Sequence, residues 1–248
     1  MDLQNAGELT SIQSAKISLE ELLQHGVHFG HRSYRWNPKM QGYIYGKKEG
    51  IHIININKTI EKLREAIEFV EHKGSEGAIP LYVCTKKQGK EIIKEYAIKA
   101  GAYYVVERWL GGLLTNFETI RTRIEKMREI EKMREDGRLE KYPKKEQQKI
   151  LTVYKKLEKN LGGLREMYEL PGFLYIVDPV KEELAVREAR KLKIPIVSLI
   201  DTDGNPEIID YPIPGNDDAM KSIEYITRII TGAYLRGKAK AKGEEENV

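Results

Sequence analysis

The chain has 248 residues, of which 40% are hydrophobic and 32% are charged, and these values are typical of a globular protein with a full hydrophobic core. Cys84 is its single cysteine, so an internal disulfide is excluded, and no apolar run approaches the roughly 20 residues that cross a membrane. The first residues show no signal-peptide pattern, so we expect a cytoplasmic protein in which Cys84 is buried in a strand.

The small net charge of +4 hides an uneven distribution along the chain. Residues 25–50 contain five basic residues and one acidic residue. Residues 121–160 contain fourteen basic and eight acidic residues, whereas residues 171–235 contain seven basic and eleven acidic residues. The basic segments can therefore face a polyanion while the acidic part faces solvent or a basic partner. For residues 121–160, a solvated helix surface of mixed charge is an equally good interpretation.

The N-terminal part begins with polar residues and continues with two helix signals. Residues 1–16 are small and polar without periodicity, which predicts a flexible arm. Ser18 and Glu21 form a capping box that opens a short helix through Gln24. A second helix is predicted over residues 57–72, with the asparagine at its first position as the cap.

A segment between these two helices interleaves aromatic rings, guanidinium groups and glycines. It is too polar for a core strand and too rich in turn formers for one helix, and two β-rich runs at residues 43–45 and 51–54 predict a hairpin at its end. Flat rings and arginines on a flexible backbone suit stacking on bases and pairing with phosphates. The predicted RNA contacts in this segment are Arg32, Arg35, Trp36, Lys39, Lys47 and Lys48.

Strands then alternate with helices, which is the pattern of a parallel sheet covered on both faces. The predicted strands cover residues 79–85, 103–106, 173–177 and 196–200, and the predicted helices cover residues 88–100, 181–192 and 219–235. We therefore predict an α/β domain built from residues 17–115 and 170–236, followed by a disordered tail over residues 237–248.

Residues 116–169 interrupt this alternation with two amphipathic helices. The apolar face of the first consists of Ile120, Ile124, Met127, Ile130 and Met133. The second carries a heptad pattern made of Ile150, Tyr154, Leu157, Leu161, Leu164 and Tyr168. Helix-breaking residues separate the two, so we predict an antiparallel coiled-coil hairpin that projects from the α/β domain. A hairpin that packs flat on the domain is the alternative.

Two predicted strand ends carry residues suited to binding phosphate. Lys86 and Lys87 follow the strand at residues 79–85, and each supplies one positive charge. Arg108 and Trp109 precede a Gly-Gly pair that lets the backbone approach a ligand, and a helix starting near residue 116 offers free N–H groups. A packing turn around a buried tryptophan is an equally good interpretation of this second loop.

The signals for nucleotide or metal chemistry are weaker. The chain has neither the P-loop spacing nor a G-x-G-x-x-G string after a strand. His28 and His31 are close in sequence but lack a third ligand at a familiar zinc spacing. Five aspartates follow the strand at residues 196–200, namely Asp201, Asp203, Asp210, Asp217 and Asp218. They predict either a Mg²⁺ or catalytic site at a strand end or a set of Asx turns and helix caps, and we favour the second interpretation.

Several strings of residues occur together in an order that identifies a family. They include GVHFGH at residues 26–31, WNPKM at 36–40, TKKQ at 85–88, RWLGGLLTN at 108–116 and IPGNDDA at 213–219. Over residues 17–235 the chain resembles the bacterial small-subunit ribosomal protein two family. The resemblance implies a flavodoxin-like α/β domain with a protruding coiled-coil hairpin.

The resemblance also implies a function. It implies a protein without catalytic activity that binds small-subunit ribosomal RNA between head and platform. It further implies contact with other small-subunit proteins, including the large ribosomal protein one, which helps to recruit messenger RNA. It implies no small-molecule substrate and no cofactor, apart from a structural Mg²⁺ as an open alternative. Two other hypotheses are an enzyme that uses a metal at residues 201–218 and a scaffold whose hairpin binds protein.

Overall fold

A computed structural model describes residues 17–245 of the chain, with side chains for residues 17–241. The predicted arm over residues 1–16 and the last three residues of the predicted tail lie outside this part. The described chain begins with helix α1 (Leu19–Gln24) and three strands, β1 (Phe29–Arg32), β2 (Ile44–Lys48) and β3 (Ile51–Ile54). These strands form a small antiparallel sheet in the order β1-β3-β2, in which β2 and β3 are the predicted hairpin. A 3-10 turn, Pro38–Tyr43, leads into β2.

The first two helices begin at side-chain caps. At α1, the Ser18 hydroxyl accepts a hydrogen bond from the Glu21 backbone N–H at 3.4 Å, which is one half of the predicted capping box. The Ser18 N–H donates to the Tyr225 hydroxyl at 3.2 Å in place of the Glu21 carboxylate. At α2 (Ile56–Ser75), the cap is Asn55, whose side-chain oxygen accepts from the Asn57 N–H at 3.1 Å. The cap lies two residues before the predicted one because α2 follows β3 directly and Asn55 is the last residue with an extended backbone.

The remaining chain builds the main sheet. Its strands are β4 (Pro80–Val83), β5 (Tyr103–Val105), β6 (Phe173–Val177), β7 (Ile196–Ile200) and β8 (Tyr211–Pro214). Its helices are α3 (Lys90–Ala100), α4 (Phe117–Glu135), α5 (Lys144–Leu161), α6 (Glu183–Lys191) and α7 (Met220–Glu245). All neighbouring strands are parallel, and their order is β5-β4-β6-β7-β8. Numbered within this sheet, the order is the flavodoxin-like 2-1-3-4-5, which confirms the predicted fold class.

Alternate residues of β4 point into two separate cores, one on each face of the sheet. Tyr82 packs with α2, α3 and α7, whereas Leu81 and Val83 pack with α4, α5 and α6. Cys84 directly follows β4 and is buried in the first core, and this burial raises the pKa of its thiol to about 12. Helices therefore cover both faces of the sheet, as the continuous apolar runs predict.

Strand β8 is an element that the sequence analysis did not predict. Pro212 and Pro214 lie within it, and proline argues against a central strand because it has no N–H to donate. The structure places β8 at the edge of the sheet, with β7 as its one neighbour there. An edge position tolerates proline, so the two prolines are compatible with a strand here.

Helices α4 and α5 form the predicted helical hairpin. They are joined through a turn that includes the 3-10 segment Arg138–Lys141, and Tyr154 on α5 donates a hydrogen bond from its hydroxyl to Glu131 on α4 at 3.0 Å. The predicted inner residues of α4 are buried except Met133, which is half-buried. The helices therefore pack through the predicted apolar faces, and a coiled-coil supercoil stays a prediction.

The heptad pattern of α5 ends earlier than predicted. The helix stops at Leu161, a 3-10 turn follows, and Tyr168 is 61% exposed although the pattern places it in the seam. The cause is a close approach at Gly163, where a Cβ atom would collide with the backbone oxygen of Tyr104 in β5. Because only glycine allows this approach, the chain turns here to anchor the hairpin base against the sheet.

Helix α7 extends beyond its predicted end. It continues to Glu245, so residues 237–245 are helical where the sequence predicts a disordered tail. The reason lies in its packing on α2, where Gly237 lies against the backbone of Glu71 and Lys240 forms an ion pair with the Glu71 carboxylate at 2.6 Å. Within residues 17–245, no helix combines the length and the hydropathy that crossing a membrane requires.

Candidate functional site

The aromatic and basic N-terminal segment lies over the carboxyl ends of β7 and β8. The backbone N–H of His31 donates to the Asp201 side chain at 3.1 Å and to the Thr202 hydroxyl at 3.0 Å. The Asn37 N–H donates to the Thr202 carbonyl at 2.7 Å, and the Asn216 N–H donates to a carbonyl of the same segment at 2.9 Å. In doubly wound folds this edge of the sheet is where ligands bind. The segment is therefore fixed at the carboxyl edge of the main sheet.

The segment exposes rings and cations together. Tyr34 and Tyr45 are 80% and 79% exposed, and Trp36 is 38% exposed although it is a large apolar side chain. We call the exposed set the aromatic–basic surface, and it consists of Arg32, Tyr34, Arg35, Trp36, Lys39, Tyr45, Lys47 and Lys48. All six of the contacts predicted in this segment are thus accessible to a partner.

The register of the small sheet divides these side chains between its two faces. Arg32 on β1 and Lys48 on β2 are both paired with Ile51 on β3, so the two cations lie on the same face. Lys47 is paired with His52, whose ring lies 5.5 Å from the Trp36 ring on the other face. The outer end of the hairpin therefore carries positive charge on both sides.

The cations of this surface differ in whether a carboxylate neutralises them. Arg35 forms an ion pair with Asp203 at 3.1 Å, and Lys39 forms one with Glu207. Within the described part of the chain, Arg32, Lys47 and Lys48 have no carboxylate within ion-pairing distance. Because their charge is uncompensated, these three residues are the strongest candidates on this surface for contacts with phosphate.

Lys86 and Lys87 are neighbours in sequence with different surroundings. The Lys87 side chain is exposed, but Lys86 is buried, and its ammonium lies 2.6 Å from Asp217, 2.8 Å from Asp178 and 2.8 Å from Asp218. Burial alone would lower the pKa of Lys86, but these carboxylates raise it above its ordinary value. The expectation that Lys86 faces phosphate is corrected, because its positive charge is already paired inside the fold.

His31 stands in the middle of the aspartates that follow β7 and β8. Its Nδ1 lies 2.8 Å from an Asp201 oxygen, and its Nε2 lies 3.4 Å from Asp218 and 3.7 Å from Asp203. The Asp201 side chain, within hydrogen-bonding distance, raises the pKa of His31 to about 9 against the opposing effect of burial. We call this group the carboxyl-edge cluster, and it consists of His31, Lys86, Asp178, Asp201, Asp203, Asp217 and Asp218.

The two interpretations of the aspartate segment each describe part of it. Two asparagines provide the turns and caps: Asn205 accepts from the Glu207 N–H at 3.1 Å, and Asn216 accepts from the Asp218 and Ala219 N–H groups at 2.9 Å. The aspartates of the cluster instead face His31, Lys86 and Arg35. The side-chain oxygens of Asp201 and Asp218 lie close enough to the His31 ring for these three residues to share a metal ion. His28 takes no part, since its ring packs on Phe29 at 4.1 Å.

The loop after β5 forms a compact nest around one carboxylate, that of Glu188 on α6. The Trp109 indole N–H and the Gly112 N–H donate to one oxygen at 3.1 and 2.8 Å, and Leu114 and Thr115 donate to the other at 3.0 Å. The expectation that Trp109 offers a stacking plane is corrected, because Trp109 is buried and the donors around the Gly-Gly pair are occupied. Arg108 remains exposed at the outside of this loop.

Three acidic residues that organise the site were not selected from the sequence. Asp178 follows β6 as the other aspartates follow β7 and β8, so the strand-end rule identifies it once β6 is assigned. Glu182 accepts from the Thr85 N–H at 2.7 Å, and Glu188 lies on the buried face of α6 between apolar residues. A charged residue within an apolar helix face was the available signal for Glu188, because a buried charge needs specific partners.

The comparison with known families agrees with this architecture. The family model described as Ribosomal protein S2 matches residues 22–237, which is most of the chain and includes both the aromatic–basic surface and the carboxyl-edge cluster. Members of that family are structural proteins of the small ribosomal subunit and not enzymes, which favours the structural hypothesis over the enzyme hypothesis. On the strength of this match, the chain belongs to the ribosomal protein S2 family.

Proposed function

We propose that this protein binds small-subunit ribosomal RNA between head and platform, and that the aromatic–basic surface provides the main contact. The observation that carries the proposal is the outer end of the small sheet, where Arg32, Lys47 and Lys48 are exposed and uncompensated. Because cations project from both faces of the small sheet, its outer end can contact phosphates on two sides. Arg35 and Lys39 offer further N–H donors to phosphate oxygens, while their ion pairs with Asp203 and Glu207 set their orientation.

Two further strand ends, on the same carboxyl side of the main sheet, extend the proposed contact. Lys87 and Arg108 are exposed after β4 and β5, so each is available for a phosphate. Lys86 and Trp109 are left out of the proposed surface because both are buried with their polar groups engaged. The proposed RNA contacts are therefore Arg32, Arg35, Trp36, Lys39, Lys47, Lys48, Lys87 and Arg108.

Removing the three uncompensated cations is expected to weaken RNA binding and to flatten its salt dependence. In the triple variant R32A/K47A/K48A, each lost phosphate contact lowers the slope of log affinity against log salt by about 0.7–0.9, so the whole change is about 2–3. The measurement is a salt titration of binding to small-subunit ribosomal RNA, combined with sedimentation of the protein with the small subunit at low and high salt.

A charge-matched variant provides the control for this experiment. R64A/K94A/R187A removes the same formal charge from exposed positions on α2, α3 and α6, outside the proposed surface. We expect it to keep the affinity and the slope of the wild type. Equal slopes for the two triple variants would show that the salt dependence comes from net charge alone and would contradict the proposed contact.

Trp36 is expected to report RNA binding through its fluorescence. The chain has two tryptophans, and because Trp109 is buried, a change in emission on adding RNA arises mainly from Trp36. We expect RNA to quench the wild-type emission, and we expect Trp36→Phe to abolish the quenching. Trp36→Ala is expected to cost about 1–3 kcal/mol of binding free energy if one base stacks there. Quenching that persists in Trp36→Phe would contradict stacking on this ring.

We further propose contact with the large ribosomal protein one, which would help to recruit messenger RNA. The family resemblance motivates this partner, and α1 offers a surface for it. Leu19 and Leu23 lie one turn apart on α1 and are 46% and 43% exposed. A pull-down with the double variant L19S/L23S tests this contact. Undiminished capture of the large protein by the variant would exclude α1 as the contact surface.

A further inference from the structure

His52 has two polar atoms that the fold leaves without partners. The residue lies on β3 and is half-buried, and neither ring nitrogen, Nδ1 or Nε2, has a hydrogen-bond partner among the described residues. Both nitrogens are almost inaccessible to solvent. Buried polar atoms in folded proteins nearly always have a partner, and leaving one unpaired costs free energy. The imidazole therefore needs a polar partner that the described part of the chain does not supply.

The neighbours of His52 belong to the aromatic–basic surface. The Trp36 ring lies 5.5 Å from the imidazole ring at an interplanar angle of 41°, and Trp36 is 38% exposed. Lys47 is the cross-strand neighbour of His52 on β2, so these two side chains share one face of the small sheet. Lys47 is exposed, and no carboxylate in the described part of the chain forms an ion pair with it. His52 thus adjoins both an exposed aromatic ring and an uncompensated cation.

These three side chains correspond to the three parts of one nucleotide. An aromatic ring stacks on a base, and a lysine ammonium pairs with a phosphate. The ribose joins the base to the phosphate, and His52 likewise adjoins both Trp36 and Lys47. The ribose 2′-hydroxyl both donates and accepts hydrogen bonds, so it can pair with either kind of imidazole nitrogen. The same hydroxyl is the group by which a protein distinguishes RNA from DNA.

We propose that His52 binds the 2′-hydroxyl of an unpaired nucleotide whose base stacks on Trp36 and whose phosphate pairs with Lys47. The proposal rests on the proposed function and adds to it the residue that selects RNA over DNA. The nitrogens of His52 become accessible when the Trp36 ring, which lies against the imidazole, moves aside. The backbone next to Trp36 is held by the hydrogen bond from the Asn37 N–H to the Thr202 carbonyl at 2.7 Å, so this movement is one of the side chain alone.

The test compares two single-stranded ligands of equal length that differ only in the 2′-hydroxyl, oligouridylate and oligodeoxyuridylate. The full-length wild type is expected to bind the ribose form more tightly. His52→Phe keeps a ring beside Trp36, and we expect it to weaken binding of the ribose form by about 2–12-fold, which is the worth of one net hydrogen bond. Binding of the deoxyribose form should stay unchanged. The matched control is His72→Phe, which changes an exposed histidine on α2 and should bind both ligands as the wild type does.

Thermal unfolding without nucleic acid provides an independent readout. Because phenylalanine buries no unpaired polar atom, His52→Phe is expected to raise Tm by about 2–4 °C while it weakens RNA binding. A residue with a purely structural role would change stability and RNA binding in the same direction. His52→Leu, a second apolar variant, keeps the test decisive if His52→Phe fails to fold.

The proposal is overturned if the wild type does not distinguish the two ligands, or if the folded His52→Phe protein keeps the wild-type preference for the ribose form. A lower Tm for His52→Phe would also contradict it, because the imidazole would then have a partner in the free protein. Failure of the proposed function gives a different result. In that case R32A/K47A/K48A and its charge-matched control show equal salt slopes, whichever ligand the His52 variants prefer.

Discussion

Glutamine in place of Glu188 is expected to lower the free energy of unfolding by about 3 kcal/mol, although it replaces a single oxygen by an amide nitrogen. One Glu188 oxygen accepts hydrogen bonds from the Trp109 indole N–H and the Gly112 N–H, and the other accepts three, from the Leu114 N–H, the Thr115 N–H and the Thr115 hydroxyl. Whichever side the amide nitrogen takes, it becomes a donor that faces at least two donors. Unpaired buried donors are costly, so the loop loses its anchor.

Chemical and thermal unfolding measure this effect. For a chain of this length, about 3 kcal/mol corresponds to a fall in Tm of about 6–12 °C. Glu183→Gln makes the same chemical change at an exposed position on the same helix α6, and we expect it to leave Tm unchanged. Equal stability of Glu188→Gln and Glu183→Gln would show that the loop after β5 does not depend on the carboxylate.

The pH dependence of this stabilisation has a definite sign. Burial alone would raise the pKa of Glu188, but the hydrogen bonds from Thr115, Trp109, Gly112 and Leu114 hold it below its ordinary value. The stabilisation is therefore fully present above the carboxyl pKa of the unfolded chain and is lost as the pH falls through the pKa of the folded chain. We expect the stability difference between the wild type and Glu188→Gln to narrow on acidification.

Hydrophobic periodicity was sufficient to predict the main elements. Strands β6 and β7 have the predicted bounds because each is a continuous apolar run between polar turns, which is the pattern of a strand buried on both faces. The sequence analysis assigned no strand at β8, where Pro212 and Pro214 interrupt the apolar run, and prolines of this kind are compatible with a strand only at the edge of a sheet. Strand order cannot be read from local patterns, since it depends on how the helices pack between distant segments.

The site was predicted less completely, because contacts between strand ends depend on that order. Sequence alone places Lys86 and Asp178 after different strands, and they meet only because β4 and β6 are neighbours in the sheet. The residues of the exposed hairpin, such as Lys47 and Lys48, were easier to select because a polar turn between two short strands projects into solvent. Whether a charged residue at a strand end is buried or exposed is decided by partners that the sequence does not place.

Methionine in place of Lys86 is expected to destabilise the fold by about 3–5 kcal/mol, which is the range for removing one partner of a buried ion pair. The substitution keeps the apolar stem of the side chain but removes the ammonium that Asp178, Asp217 and Asp218 share. Asp217 is then a buried carboxylate without a cation. The measurement is urea unfolding with a chelator present, so that no metal ion takes the place of the ammonium.

Acidification is expected to reduce this loss of stability. Burial and the charge of Asp178 already raise the pKa of Asp217, and Lys86 opposes this rise. Without Lys86 the folded protein holds a proton on Asp217 more tightly than the unfolded chain does, so its stability falls as the pH rises. We therefore expect the cost of Lys86→Met to be smaller at about pH 5 than at about pH 8, and a cost independent of pH would contradict a role in pairing Asp217.

Lys87→Met is the matched partner of this experiment and separates folding from RNA binding. Lys87 is exposed one position further along the chain, so its removal is expected to leave unfolding unchanged and to lower the salt slope of RNA binding by about 0.7–0.9. Lys86→Met, studied where it remains folded, is expected to keep the wild-type slope because the Lys86 charge is paired inside the protein. A lower slope for Lys86→Met would mean that its ammonium leaves the carboxylates to meet phosphate. The two adjacent lysines thus test whether charge at this strand end serves the fold or the nucleic acid.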